Sequence, residues 1–499
     1  MVGLCSKLRT RCWHSYRVKN VLHSPGRITA YPSVVENLTG LVTIHAMNHF
    51  KLEYFAVSLS ILSVVWVDLS CTKKGPISPD DTAKMQIAVQ DTLASEVWLE
   101  VSFPGRRDRQ GVSREFTIER DGIQILSGKC IGPMAFVDDT TADPRHNYTY
   151  QAFQWDNSIA VDSTAPVLAT TMDTTSHHFN FTTEILPGWT TSLLFDVSII
   201  NENSIWIVGS IYLLDSLGGK DPTPYCAAYW NGSKWTPKRF YYQGLKTTFL
   251  LDEIRGVCAF SDSDVWFAAL SQLFHWDGTN LKMYQLWGGS IGTPLIQKLW
   301  GTSSNNLFGV GDSGAIVHFD GTTWQRIQSG VDVEIRDAWG GSNLLFGNNV
   351  VLFPASNKYE VGVEKILRFE SSGQIDALIP WPYTKRLALS VWFDSHSPIY
   401  LCGQGIFEYR GGSGWHEITE VPLGVNNRIR GNGPNDIFVV GDFGVAAHYN
   451  GKTWRSYPEA ELKFGLYESM AMKGNLVVAV GSNAPQGADA QAVVLWGRR

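Results

Sequence analysis

Four cations recur at comparable places in successive hydrophobic segments of this 499-residue chain: Arg255, Lys298, Arg336 and Arg430. Gathered around an axis they would make a positive funnel for an anionic ligand. Asp196, Glu253, Asp337 and Glu468 fall on the same segments. Because a buried charge needs a partner, internal pairing is the simpler reading of the set. A second group is aromatic. Tyr241, Tyr242, Trp287, Trp381 and Tyr383 lie in the connections between segments, where exposed rings beside long loops offer a recognition surface for protein or glycan. The sequence holds no GxSxG elbow, HExxH pair or phosphate-binding Gly loop. Its seven cysteines, at 5, 12, 71, 130, 226, 258 and 402, show no CxxC spacing, so neither a zinc site nor a disulfide framework is expected. His177 and His178 are neighbours that would point to opposite faces of a strand. His275, His318 and His448 recur just before an aromatic residue, which indicates a repeated packing and hydrogen-bonding role. No catalytic residue, metal or cofactor is expected.

The elements that hold these groups are legible because the chain repeats itself. DVWFAALSQLFHWDG (264–278), NLFGVGDSGAIVHFDGTTW (306–324), IYLCGQGIFEYRGGSGW (399–415) and DIFVVGDFGVAAHYNGKTW (436–454) each read as strand, turn, strand ending in an aromatic residue, and tight turn. Such a unit cannot bury its own apolar face, and recurrence at about 40 residues predicts blades stacked around an axis, a β-propeller. Gly209, Gly311, Gly403, Gly441 and Gly481 end one strand in each repeat, with Ala269 and Asn348 in the matching places, so seven units follow. Six or eight blades stay open because the fourth unit, 334–384, is degenerate. HFNFTTEILP (178–187) reads as an outer strand with no blade of its own, while the last unit, ending in VVLWGRR, is one strand short. Ring closure by pairing the two is predicted. The inserts 212–225, 354–365 and 483–491 follow second strands and should emerge on one face, beside the aromatic connections.

A composition of 44% hydrophobic residues with net charge −6, 19 Trp and 47 Gly suits an all-β globular protein and does not point to nucleic acid. Within 84–175, REFTIERDG followed by NYTYQAFQWDN resembles a fibronectin type III domain, which implies core or corner roles for Trp98, Phe116, Tyr148 and Tyr150. Upstream, FAVSLSILSVVWV (55–67) is too short to span a bilayer as a helix and has the length of a signal-peptide core. Read from Met47, MNHFKLEYFAVSLSILSVVWVDLSC (47–71) resembles a bacterial lipoprotein signal. That resemblance implies a lipidated Cys71 as mature N-terminus and a polar tether over 72–83. Asp68, three before the cysteine, and Glu53, which cancels Lys51, depart from the pattern. Residues 1–46 read as translated sequence upstream of a misassigned start.

The hydrophobic-Gly, aromatic-Asp-Gly-x-x-Trp repeat resembles bacterial extracytoplasmic propellers, often lipoproteins and often preceded by a fibronectin-like module. The expectation is an all-β chain, a fibronectin type III-like sandwich (84–175) followed by a seven-bladed β-propeller (176–499). Functionally it is expected to be a non-catalytic binding or scaffold protein, lipid-anchored to the membrane in the bacterial cell envelope, with a protein or glycan ligand on the loop face. A carbohydrate-active propeller enzyme and an assembly factor for a membrane complex are the alternatives.

Overall fold

The computed structural model describes residues 9–12, 84–103 and 113–499, apart from 216, 245, 287–291, 358–359, 371–372, 374, 376–380, 384–385, 397, 412–413 and 422–423. The lipoprotein-like signal with Cys71, the tether, nearly all of 1–46 and Trp287 lie outside the described residues. Their regular secondary structure is almost entirely strand, with two 3-10 turns, Asp312–Gly314 and Pro458–Ala460.

Residues 84–175 form two facing sheets. Gln86–Thr92, Val97–Ser102 and Met134–Asp139 pair in that order, with Arg9–Cys12 along the far side of Met134–Asp139. The opposing sheet runs Ile123–Ile131, Ser113–Arg120, Asn147–Asp156, Ile159–Ser163, and Val167–Thr170 also pairs with Asn147–Asp156. Alternate side chains meet between the sheets: Val97, Leu99, Phe116, Ile118, Tyr148 and Tyr150 are all buried, as the period of two dictates. The Tyr150 hydroxyl donates to Asp139 at 2.7 Å. Trp98 is buried too, but on the other side of its strand, toward the second domain.

Seven sheets of three or four strands follow among the described residues: sheet 1 (193–238), sheet 2 (256–285), sheet 3 (296–327), sheet 4 (339–369), sheet 5 (388–418), sheet 6 (426–456) and sheet 7 (465–498). Each first strand packs against the first strand of the next sheet, and Gly465–Lys473 of sheet 7 packs back on Leu193–Asn201 of sheet 1. The sheets therefore close a ring around an axis, which is a β-propeller. Closure comes from the strand that precedes sheet 1: Asn180–Ile185 pairs antiparallel with Gln491–Arg498, Thr183 opposite Leu495. That pairing removes the open edge an unclosed ring would carry.

The repeated glycine has a steric cause. A Cβ at Gly209, Gly311, Gly403, Gly441 or Gly481 would sit 1.8–2.1 Å from a backbone carbonyl oxygen: that of Leu193, Leu295, Leu387, Val425 or Leu466, respectively. The second strand leaves its sheet where the first strand enters, and the two backbones touch. Sheet 4 differs from the expected alignment, because Ala355, bridged to Ile335, occupies that place and Asn348 does not. Nor is 354–365 a loop insert. Gly347–Asn357 and Glu360–Phe369 run through it as one long hairpin.

The Asp-Gly and Asn-Gly turns also have a local cause. Asp320 Oδ1 accepts the amides of Thr322 and Thr323 at 2.8 Å, Asn450 Oδ1 those of Lys452 and Thr453, and the glycine between takes positive φ, 90° at Gly321 and 95° at Gly451. A side chain that caps the turn and a residue free to go left-handed are what this geometry requires. The tryptophan after the turn opens the outer strand, paired back on the preceding aromatic: Phe319 with Trp324, Tyr409 with Trp415, Tyr449 with Trp454.

Antiparallel order puts the first-to-second and third-to-fourth strand turns at one face of the ring, and the second-to-third turns and sheet-to-sheet connections at the other. The sandwich sits on the first of these. Arg410, in the last turn of sheet 5, binds Glu96 at 2.5 Å and Asp138 at 3.3 Å, and Ser95 donates to the Gly451 carbonyl at 3.2 Å. The linker follows the same face, with Thr175 N donating to the Asn450 carbonyl at 3.1 Å. A cleft of about 390 Å³ remains at the joint, lined by Trp98, Phe136, Leu345, Phe346 and Tyr409 among others.

Candidate functional site

The cations expected at the axis do lie on or just before first strands, and each is ion-paired. Lys298 Nζ is 2.7 Å from both carboxylate oxygens of Asp196. Arg430 binds Asp337 through two nitrogens, at 2.7 and 2.9 Å. Arg336 reaches Glu468 at 2.6 Å and Glu334 at 3.3 Å, and Arg255 reaches Glu253 at 2.5 Å. Arg428 adds a second guanidinium on Asp337 at 2.7 Å. Five cations thus meet five carboxylates, and the charges expected to form a funnel are paired, across the ring for Lys298, Arg336 and Arg430 and locally for Arg255. Burial would raise the Asp337 carboxyl, but Arg428 and Arg430 override it and hold the group well below the usual carboxylate range. Burial lowers Lys298 in spite of Asp196.

Four participants are not among the residues singled out from the sequence: Glu334, Arg428, Ser390 and Ser469. Ser390 donates to Asp337 at 2.5 Å, and Ser469 donates to Asp196 at 2.7 Å. For the last three the signal is positional. Asp196, Lys298, Ser390, Arg428 and Ser469 each follow a one-residue bulge near the start of a first strand, and a bulge re-aims the next side chain. The sequence shows this as LLFD, LIQK, LALS, VNNR and LYES.

The recurring histidines hold strands together. His275 Nε2 pairs with Asp264 at 2.9 Å, His318 with Asn306 at 2.8 Å and His448 with Asp436 at 2.8 Å, in each case the residue that opens the second strand. At sheet 6 the motif extends. His448 Nδ1 meets Nδ1 of His177 at 2.9 Å, and Arg499 binds both oxygens of Asp436, at 2.8 and 2.6 Å. Burial and the neighbouring His448 push His177 down to about 4. Burial alone would raise Asp436, but hydrogen bonds from His448, Arg499 and Asn432 bring it to about 2. This cluster ties the linker and the chain's last residue to the ring. Among the described residues no group of three or more His, Cys, Asp or Glu is arranged to hold a metal ion.

The aromatic residues separate into two kinds. Tyr241 is 56% exposed, on a hairpin of Tyr241–Gln243 and Thr248–Leu250 that stands between sheets 1 and 2 on the loop face. Tyr242, on the same hairpin, stacks on Phe249 with ring centroids 5.5 Å apart and reaches Phe274. Trp381 and Tyr383 do not stand at the rim. They are half-buried between sheets 4 and 5, each against Phe407, with Trp381 also against Trp415 and the Tyr383 hydroxyl donating to the Trp415 carbonyl at 3.3 Å. Sheet 4 shows three strands among the described residues. The loop face carries other exposed apolar side chains that the sequence reading did not single out: Leu217 (94% exposed), Phe443 (69%), Leu270 (56%), Phe249 and Phe464.

The closed ring of antiparallel sheets defines the class, a β-propeller with a β-sandwich on one face. No family model matches the chain, and no curated protein does. Among solved structures it is similar to YCF48 bound to a D1 peptide, at 13% identity and TM-score 0.46 over 64% of this chain and 97% of that one. It is also similar to YCF48 from Cyanidioschyzon merolae (15%, 0.42, 62% and 98%) and to the WD40 propeller domain of Doa1 (11%, 0.42, 64% and 97%).

Proposed function

We propose that the chain is a non-catalytic binding or scaffold protein, a seven-bladed propeller carried on a fibronectin type III-like spacer and anchored in the bacterial cell envelope through a lipid on Cys71. The spacer reading is supported by the two sheet orders of residues 84–175, three strands facing four with a split last strand, and the blade count by the seven sheets of the ring. One observation carries the binding reading. The sandwich occupies the face of short turns, which leaves the face of long connections, with its exposed Tyr241, Leu270 and Phe443, for a partner. Exposed apolar groups gathered on one surface of a water-facing protein mark interaction sites. At the axis the carboxylates a hydrolase would use are held by Lys298, Arg255, Arg336, Arg428 and Arg430, which favours binding over glycan cleavage.

A photo-crosslinking amino acid in place of Tyr241 should trap a partner in cells, whereas the same group in place of Lys234, on the opposite face, should not. Crosslinks from position 234 alone would reverse the assignment. The anchor is tested separately by labelling with a palmitate analogue, which the wild type should incorporate and Cys71→Ala should not.

A further inference from the structure

The loop face combines two properties that need not occur together. Leu270 and Phe443 both lie in turns from second to third strand, both are more than half exposed, and both hold left-handed backbone, each with φ 57°. For a bulky side chain this conformation is disfavoured by contact between Cβ and the carbonyl, and glycine would adopt it freely. The turn is fixed regardless: Phe443 N donates to the Gly465 carbonyl at 2.8 Å, its carbonyl accepts from Leu462 N at 2.9 Å, and the Leu270 carbonyl accepts from Ile296 N at 2.9 Å. A solvent-facing leucine and phenylalanine therefore stand where folding would be served better by glycine, and strain kept at an exposed site points to use.

The rim is continuous. Phe464 O accepts from Ala484 N, Asp489 faces Thr191, Trp189 packs on Tyr212, and Arg239 joins Asp221 to the hairpin that presents Tyr241. It is also acidic. Leaving aside buried Asp337, the described turns and connections of this face carry thirteen carboxylates against seven Lys and Arg, whereas those of the opposite face carry five against four. An acidic surface with apolar side chains standing out of it favours a cationic partner and repels an anionic one, a lipid surface of negative charge included.

We infer that this rim, from Phe443 and Phe464 across sheet 7 to Tyr241 and Leu270, binds a polypeptide segment that carries both Lys or Arg and apolar residues. The inference rests on the loop face being the binding face and adds the chemistry of its partner. It is tested by selecting a phage-displayed random peptide library on the purified full chain. Enriched peptides should be net positive with apolar residues, should bind more weakly as salt rises, and should lose at least tenfold in affinity to the double variant Leu270→Gly, Phe443→Gly. The melting temperature of that variant should hold or rise, because glycine relieves the turn. Neutral or acidic binders sensitive to the glycine pair would overturn the basic partner and leave the face standing. Binders indifferent to the glycine pair but lost when Lys234 is changed would overturn both. Co-flotation of the chain with phosphatidylglycerol vesicles, abolished by the glycine pair, would replace the polypeptide with a membrane and overturn the inference.

Discussion

Replacing Asp337 by Asn keeps the shape of the side chain and deletes the one charge that Arg428 and Arg430 share. Both guanidiniums are nearly inaccessible and the carboxylate is fully buried, so neither cation can turn to water. Breaking a buried pair from one side costs about 3–5 kcal/mol, because what remains is an uncompensated charge in a poorly solvating interior. At 1.4 kcal/mol per decade this is a fall of roughly two to three and a half decades in the folding equilibrium. The assay is urea unfolding followed by tryptophan fluorescence at pH 7, with the midpoint shifting down at unchanged m-value. Acid supplies a second arm. The folded-state carboxyl sits below its unfolded value of about 3.9, so its contribution is complete above that pH and is lost as pH falls through and beneath it. The wild type should lose this component on acidification and Asp337→Asn should lack it. A cost below about 1 kcal/mol would show that the axial ion pairs do not hold the sheets in register.

Further expectations follow from the same structure. The folded-state pKa values of His177 and His448 both lie below the ordinary histidine value. The unfolded chain therefore takes protons first, and the histidine contribution to stability should be lost between about pH 6.5 and about pH 4; His177→Gln should flatten the dependence of melting temperature on pH across that window. Trp381→Ala should destabilise the ring by about 2–4 kcal/mol through lost packing on Phe407 and Trp415, measured by urea midpoint. Tyr241→Ala should leave that midpoint unchanged and weaken partner capture; the opposite pattern would exchange their roles. Gly441→Ala should lower the melting temperature of the ring, because a Cβ 2.1 Å from the Val425 carbonyl forces two backbones apart; an unchanged value would mean that the close approach is not needed.

Local rules made much of the fold readable. Asp320-Gly321 and Asn450-Gly451 announce their turns because the capping oxygen and the left-handed residue are adjacent in the chain, and Gly441 announces a close approach because nothing larger fits. The unpaired strand at 178–187 and the missing strand at the end imply each other by counting. Sheet 4 is the exception because its long hairpin carries neither signal, and Ala355 rather than a glycine holds the place of close approach.

The sequence by itself determined the repeat, its period and therefore the kind of closed sheet stack, since each unit has one apolar face too many to stand alone. Only the tertiary structure decided partners. Whether Arg430 faces an open channel or Asp337, 93 residues earlier, depends on a bulge between Asn426 and Arg428 that shifts the register of the arginines after it, and on which sheets lie across the axis. Whether Trp381 greets solvent or packs between sheets 4 and 5 depends on the aromatic side chains, Phe407 and Trp415, that the neighbouring sheet brings to it. The exposed Leu270 and Phe443 were invisible for the same reason: apolar residues next to strands read as core until the turn that lifts them out of it is seen.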